Sequence, residues 1–233
     1  MLGILLDLLF PDYCLVCGKL LLGSHHFVAC SECWKEHFTP YSGVKCKTCG
    51  YPLKLKPGSF PYCRECIETG RHFEFKGVDY FGLYDGLIEI AIRELKQKKL
   101  LPVAREIGKS IRGRLLNFIH RTEANLVVPV PESKEMLKER GFSPVEEILK
   151  GADIRFRRVL GKKEGIMKQS LLGKRERRKN VKDAFYPLTG LNGNTVLLFD
   201  DILTTGATAD ECAKALKEAG AREVYLFTVA RSV

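Results

Sequence analysis

The stretch VLLFDDILTTGAT, Val196 to Thr208, carries the fold and the chemistry together. Val196 to Phe199 are apolar at every position, as expected of a strand covered on both faces. The strand then delivers the chain to Asp200 and Asp201, followed by a loop holding Thr204, Thr205, Gly206, Ala207 and Thr208. A helix is expected from Ala207 or Thr208 to Ala219, with Ala209, Cys212, Ala213 and Leu216 facing inward and Gly220 as a left-handed cap. Cys212 is then a core thiol. This order puts the loop at the carboxyl edge of a parallel sheet, where open α/β sheets bind ligands. A helix N-terminus offers unpaired N–H groups and partial positive charge. The threonines add hydroxyls, and Gly206 allows close backbone approach. Together these describe a cradle for a phosphate dianion. The lysine-bearing pattern G-x-x-x-x-G-K-[ST] and the dinucleotide pattern G-x-G-x-x-G are both absent. Two carboxylates suit sugar hydroxyls, or Mg2+ held through water. Phosphate in the cradle and vicinal hydroxyls on the aspartates describe a ribose 5-phosphate.

Upstream, FKGVDYFGLYDGL reads as strand and turn. Asp85 is placed to cap a helix carrying Leu87, Ile88, Ala91, Ile92 and Leu95 on one face. Pro102 opens a second helix with Val103, Ile107, Ile111, Leu115 and Phe118 at helical spacing. NLVVPVP gives a short strand stopped by Pro129 and Pro131. Residues 133–150 are helical in parts, interrupted by Gly141 and Pro144. AFYPL, NTVLLFD and EVYLFTVAR are further strands. Helices alternating with short apolar strands predict a parallel sheet with helices on both faces.

Eight of the nine cysteines form four CxxC pairs: Cys14/Cys17, Cys30/Cys33, Cys46/Cys49 and Cys63/Cys66. Four thiolates suit tetrahedral Zn2+, so two structural zinc ions are expected. Sequential pairing gives two successive modules, and interleaved pairing gives one cross-braced unit. The short loops favour the sequential arrangement. Gly18 and Gly50 supply the tight turn that aims N–H groups at sulfur. With no cysteine missing, His25, His26, His37 and His72 are expected to be non-ligands. The boundary falls near Gly70, dividing a cysteine-rich zinc-binding region (1–70) from the α/β domain (71–233).

The formal charge is +10, and it is concentrated: residues 155–182 carry twelve Lys or Arg against two acids. That span reads as two short strands or a mobile loop able to close over a polyphosphate or to meet nucleic acid. Phe156 is its one aromatic, too few for a stacking platform. No apolar run reaches membrane-spanning length. The apolar start lacks a basic leader and is broken by Asp7, which suggests a docking segment and a cytoplasmic protein.

VLLFDDILTTGAT resembles the signature of type I phosphoribosyltransferases, which bind phosphoribosyl pyrophosphate (PRPP). More of the chain resembles the ComF family, of ComFC type. The likeness lies in the CxxC pairs, LKQKK around Lys96, VVPVP at 127–131, ERGF at 139–142 and KQSLLGKRERRKNVKDAF at 168–185. Two places depart from the pattern: Glu135 and Met136 stand where arginines are usual, and Ser143 where asparagine is usual. The resemblance implies an α/β type I phosphoribosyltransferase domain after a zinc region. It implies a protein binding PRPP with Mg2+ and transferring a phosphoribosyl group to an acceptor in DNA uptake or processing. PRPP would meet Asp200, Asp201, Thr204, Thr205, Gly206, Ala207 and Thr208, with Lys96 and Arg140 as further cations. Arg177, with Lys168, Lys174, Arg175 and Arg178 nearby, would close over the pyrophosphate, so Asp200, Asp201 and Arg177 are the catalytic candidates. Single-stranded DNA and DNA-uptake or recombination proteins are the implied partners. The alternative is a non-catalytic adaptor holding single-stranded DNA with the zinc region and basic segment.

Overall fold

A computed structural model describes residues 12–21, 28–54, 60–164 and 183–233. Arg177, Lys168, Lys174, Arg175, Arg178, the apolar start, His25 and His26 lie outside them. The centre is a four-stranded, all-parallel sheet in the order β5 (Gly77–Leu83), β10 (Glu223–Arg231), β9 (Thr195–Leu203), β6 (Leu126–Pro129). The two inner strands are apolar because both faces are covered. Leu197, Phe199, Phe227 and Val229 face one layer, made by α3 (Gly86–Gln97), α4 (Leu101–Thr122) and α6 (Pro144–Gly151). Val196, Leu198, Val224 and Leu226 face the other, made by α7 (Ala207–Glu218) and a hairpin of β7 (Leu160–Lys162) with β8 (Phe185–Pro187). AFYPL therefore forms a strand, but one outside the main sheet.

Local sequence sets the helix ends. Pro102 lies in the first turn of α4. Gly220, at φ +95°, follows α7, its N–H bonded to Lys217 O and that of Ala221 to Leu216 O, which closes the helix as expected. Cys212 is fully buried, and burial pushes its thiol well up. Asp85 precedes α3, but its side chain makes no capping bond. Ser133 and Ser143 are the working caps: they accept N–H bonds from Met136 and Glu146 at the starts of α5 (Lys134–Arg140) and α6. Ser143 thus has a structural task at a place where asparagine was the expectation.

The cysteine-rich region is two copies of one design. β1 (Asp12–Tyr13) and β2 (Leu20–Leu21) form a hairpin around Cys14 and Cys17, and α1 (Ser31–His37) begins just after Cys30. β3 (Val44–Lys45), β4 (Pro52–Leu53) and α2 (Arg64–Thr69) repeat this with Cys46, Cys49, Cys63 and Cys66. Both modules pack on the sheet domain. Cys14, Cys30 and Cys33 share an apolar cluster with Ile88 and Ile107. Trp34 stacks on Phe38, and Phe38 on Phe81 of β5. The indole of Trp34 donates to Ser110 Oγ at 2.9 Å, and Tyr41 N–H donates to Phe81 O at 2.7 Å.

Asp79 of β5 ties the second module to α4. Its carboxylate accepts two bonds from Arg114 at 3.1 Å and one from Lys45, while Arg114 also donates to Tyr41 O. Burial alone would raise the Asp79 pKa, but Arg114 and Lys45 outweigh it and hold the carboxyl below its usual range. A depressed carboxyl pKa adds stability above the unfolded value of about 3.9, and that stability is lost as pH falls. Asp79→Ala, leaving the half-buried Lys45 and Arg114 and the exposed Arg121 without their anion, is expected to cost about 3–5 kcal/mol. Chemical denaturation from pH 7 to pH 3 checks both points: the wild-type chain should lose stability below about pH 4, and the variant should show a flatter profile. Equal profiles would contradict this role.

Candidate functional site

The register of β9 decides where the acidic pair points. The ladder with β10 continues through Thr228↔Asp200 to Arg231↔Leu203, so the aspartates lie inside the strand and not after it, as the sequence suggested. Successive strand residues face opposite sides. Asp201 continues the row of Leu197 and Phe199 toward α3, where it pairs with Lys96. Asp200 continues the row of Val196 and Leu198 toward α7 and the β7–β8 hairpin, near enough to Lys162 to feel its charge and near enough to Cys212 to help push that thiol up. The two carboxylates still border one cleft of ≈ 290 Å³ because they stand at the sheet edge.

Burial raises the Asp200 pKa to about 7; the Asp201 charge adds to this, while Lys96 and Lys162 oppose it. Asp200 also accepts the Asp201 N–H at 2.9 Å. Burial would lower the Lys96 pKa, but Asp201 and Asp200 reverse this and raise it. The site therefore holds a lysine ammonium as its own counter-ion to Asp201.

Thr204, Gly206 and Thr208 line the same cleft as the acidic pair and Lys96. Thr205 and Ala207 shape the loop instead: Thr205 Oγ1 accepts the Ala207 N–H at 3.3 Å. Gly206 has φ +80°, and a Cβ there would lie 2.9 Å from the Phe73 ring. Glycine is thus required by its backbone conformation and by Phe73, not only by ligand approach. Arg140 stands behind two residues of the cleft wall: it pairs with Glu132 and donates Nε to Lys96 O at 3.2 Å. Met136 lines the cleft.

Two charged lining residues escaped the sequence reading. Lys162 comes from β7, and Glu132 follows VVPVP. Glu132 Oε2 is buried with no hydrogen-bond partner among the described residues, and burial raises the Glu132 pKa against the pull of Arg140. Their signal in the sequence is only position: a charged residue directly after a strand-ending proline, and one within a short strand.

The cysteines form two four-sulfur clusters, Cys14/Cys17/Cys30/Cys33 and Cys46/Cys49/Cys63/Cys66, with all sulfurs of each within 4.8 Å of one another. Sequential pairing is therefore the one observed, and among the described residues neither cluster contains histidine. Tetrahedral thiolates at about 2.3 Å from zinc stand about 3.8 Å apart. Cys17–Cys30 and Cys49–Cys63 stand at 3.9 and 3.6 Å, too far for a disulfide and right for a shared metal. Burial pushes the Cys14 and Cys46 thiols up, but backbone N–H groups outweigh it. Those of Cys17, Cys30 and Val16 bring Cys14 to about 6, and those of Cys49, Cys63 and Thr48 bring Cys46 to about 7. Gly18 and Gly50 close the turns as expected: at positive φ, their own N–H groups go to Cys14 O and Cys46 O while neighbouring N–H groups meet sulfur.

Among the described residues, no helix is long and apolar enough to cross a membrane. Residues 5–67 match the double zinc ribbon domain. A superposition on purine phosphoribosyltransferase from Pyrococcus horikoshii covers 65% of this chain and 91% of that one, at 15% identity and a TM-score of 0.29, too loose to transfer any detail. DNA utilization protein YhgH of Escherichia coli K12 is 24% identical over 96% of this chain and 98% of its own length. Competence protein ComFC of Streptococcus pneumoniae is 34% identical over 94% of this chain and 99% of its own. The cysteine framework, the parallel sheet and this near-full-length likeness agree: the chain belongs to the ComFC family of competence proteins.

Proposed function

We propose that the cleft binds PRPP with Mg2+ and that the protein transfers the phosphoribosyl group to an acceptor in DNA uptake or processing. One observation carries the reading: Asp200, Asp201 and the 204–208 loop converge on a single cleft at the carboxyl edge of a parallel sheet. The loop at the start of α7 would hold the 5-phosphate through N–H and hydroxyl donors. The aspartates would accept the ribose hydroxyls. Mg2+ would neutralise the leaving pyrophosphate. Two carboxylates and an open cleft suit such a cation, and Lys96 stands in for it on Asp201. Arg177 is retained as the cation proposed to close over pyrophosphate.

A second reading, single-stranded DNA held by the ribbons, has its own support. Phe60 is 81% exposed, and Tyr51 and Tyr62 are exposed beside Lys47 and Arg64. Exposed aromatics among basic residues suit base stacking. The readings coexist, since the cleft and these aromatics use different residues.

Each cysteine cluster is proposed to hold one Zn2+. Metal analysis should give two zinc per chain, and Cys46→Ser should lower the count by one. A chain without metal would contradict this.

Calorimetric titration tests the cleft. PRPP should bind more tightly with Mg2+ than without. Asp200→Asn and Asp201→Asn should each weaken it by about 1–3 kcal/mol. Inorganic phosphate should bind all three proteins alike. Unchanged PRPP affinity in both variants would overturn the assignment.

A further inference from the structure

The cradle loop is gripped from behind. Arg231, at the end of β10, donates to Leu203 O at 3.1 Å and to Thr204 O at 2.7 Å. Arg71 Nη2 donates to Thr205 O. In a trans peptide, the carbonyl and the next N–H point opposite ways. Holding the carbonyls of residues 203–205 on one side turns the N–H groups of Thr204, Thr205 and Gly206 to the other. Thr204 and Gly206 line the cleft there.

Arg71 is anchored in the second ribbon, and Arg231 approaches it. Arg71 follows α2, and its own N–H donates to Cys66 O at 3.3 Å. Its Nη1 lies 3.4 Å from Glu65 Oε1, and its guanidinium 4.3 Å from the centre of the Phe73 ring. Phe73 in turn packs against the second cysteine cluster and against Gly206. Arg231 lies 5.7 Å from the ring of Tyr51, which follows Cys49 and Gly50. Cys66, Arg71 and Thr205 thus form a continuous path from the cysteine cluster to the loop.

We propose that Arg71 is a positioning residue through which the second zinc ribbon holds the phosphate cradle in its binding shape. The ribbon is then part of the machinery that sets affinity for a phosphate monoester, beyond its task as a structural appendage. The proposal rests on the reading of residues 204–208 as that cradle.

The test uses the full chain and its Arg71→Met and Arg71→Lys variants. Zinc content and melting temperature establish that each remains folded and metal-loaded. Amide hydrogen exchange at Gly206, Ala207 and Thr208 reports loop order, and titration with inorganic phosphate and Mg2+–PRPP reports affinity. Arg71→Met should keep the wild-type zinc content, speed exchange at these amides and weaken phosphate binding about tenfold. Arg71→Lys, which keeps one donor but loses the planar fork, should fall between. Should Arg71→Met not fold, the lysine variant alone decides by the same readouts. Unchanged exchange and unchanged phosphate affinity in a folded variant would overturn the proposal. If the wild-type chain bound neither phosphate nor PRPP, the cradle reading and the affinity half of the proposal would both fall. The exchange rates would still decide whether Arg71 holds the loop.

Discussion

Two adjacent carboxylates in the second half of a buried parallel strand must be answered by cations, and strand geometry forces them to opposite faces. Asp201 finds Lys96 on α3, while Asp200 looks toward Lys162 and α7 with its pKa pushed to about 7. Much of the site follows from this constraint. Lys96 is itself steadied by Arg140 at its carbonyl, and Arg140 is paired to Glu132 beside the cleft. The result is an alternating set of charges around a cavity, with one carboxylate oxygen, Glu132 Oε2, buried and without a partner among the described residues. Buried charge of this kind is poor material for stability and good material for recognition.

The parts legible in the sequence are those whose chemistry is contiguous. The run from Val196 to Thr208 announced strand, acids, loop and helix because each step has a local cause: apolar continuity, carboxylate pairing, turn chemistry and helix periodicity. The CxxC spacing announced two four-thiolate modules for the same reason. Less legible was anything set by tertiary contact. Gly206 suggested ligand approach, yet Phe73, distant in sequence, occupies the space a side chain would need. Arg140 suggested a ligand cation, and its pairing with Glu132 had no local signal. The strand end was placed too early, because charge suggested solvent where the ladder with β10 continues. Arg71 and Arg231 had no signal at all, since the carbonyl groups they bind belong to residues remote in sequence.

The ribbons are bound into the molecule more closely than a boundary near Gly70 suggests. The first shares an apolar cluster with α3 and α4. The second is fixed by Asp79 at one end and reaches the loop through Arg71 at the other. A small module with little core depends on metal for its order, so under the proposed zinc and Arg71 assignments metal, ribbon and loop would share a common stability.

The most direct measurement is a crystal structure of the full chain with Mg2+ and PRPP. The account predicts the 5-phosphate against the N–H and hydroxyl groups of residues 204–208, the ribose hydroxyls at Asp200 and Asp201, and Lys96 displaced from Asp201. PRPP bound elsewhere, or a cleft in which Lys96 keeps Asp201 and no ligand enters, would contradict it.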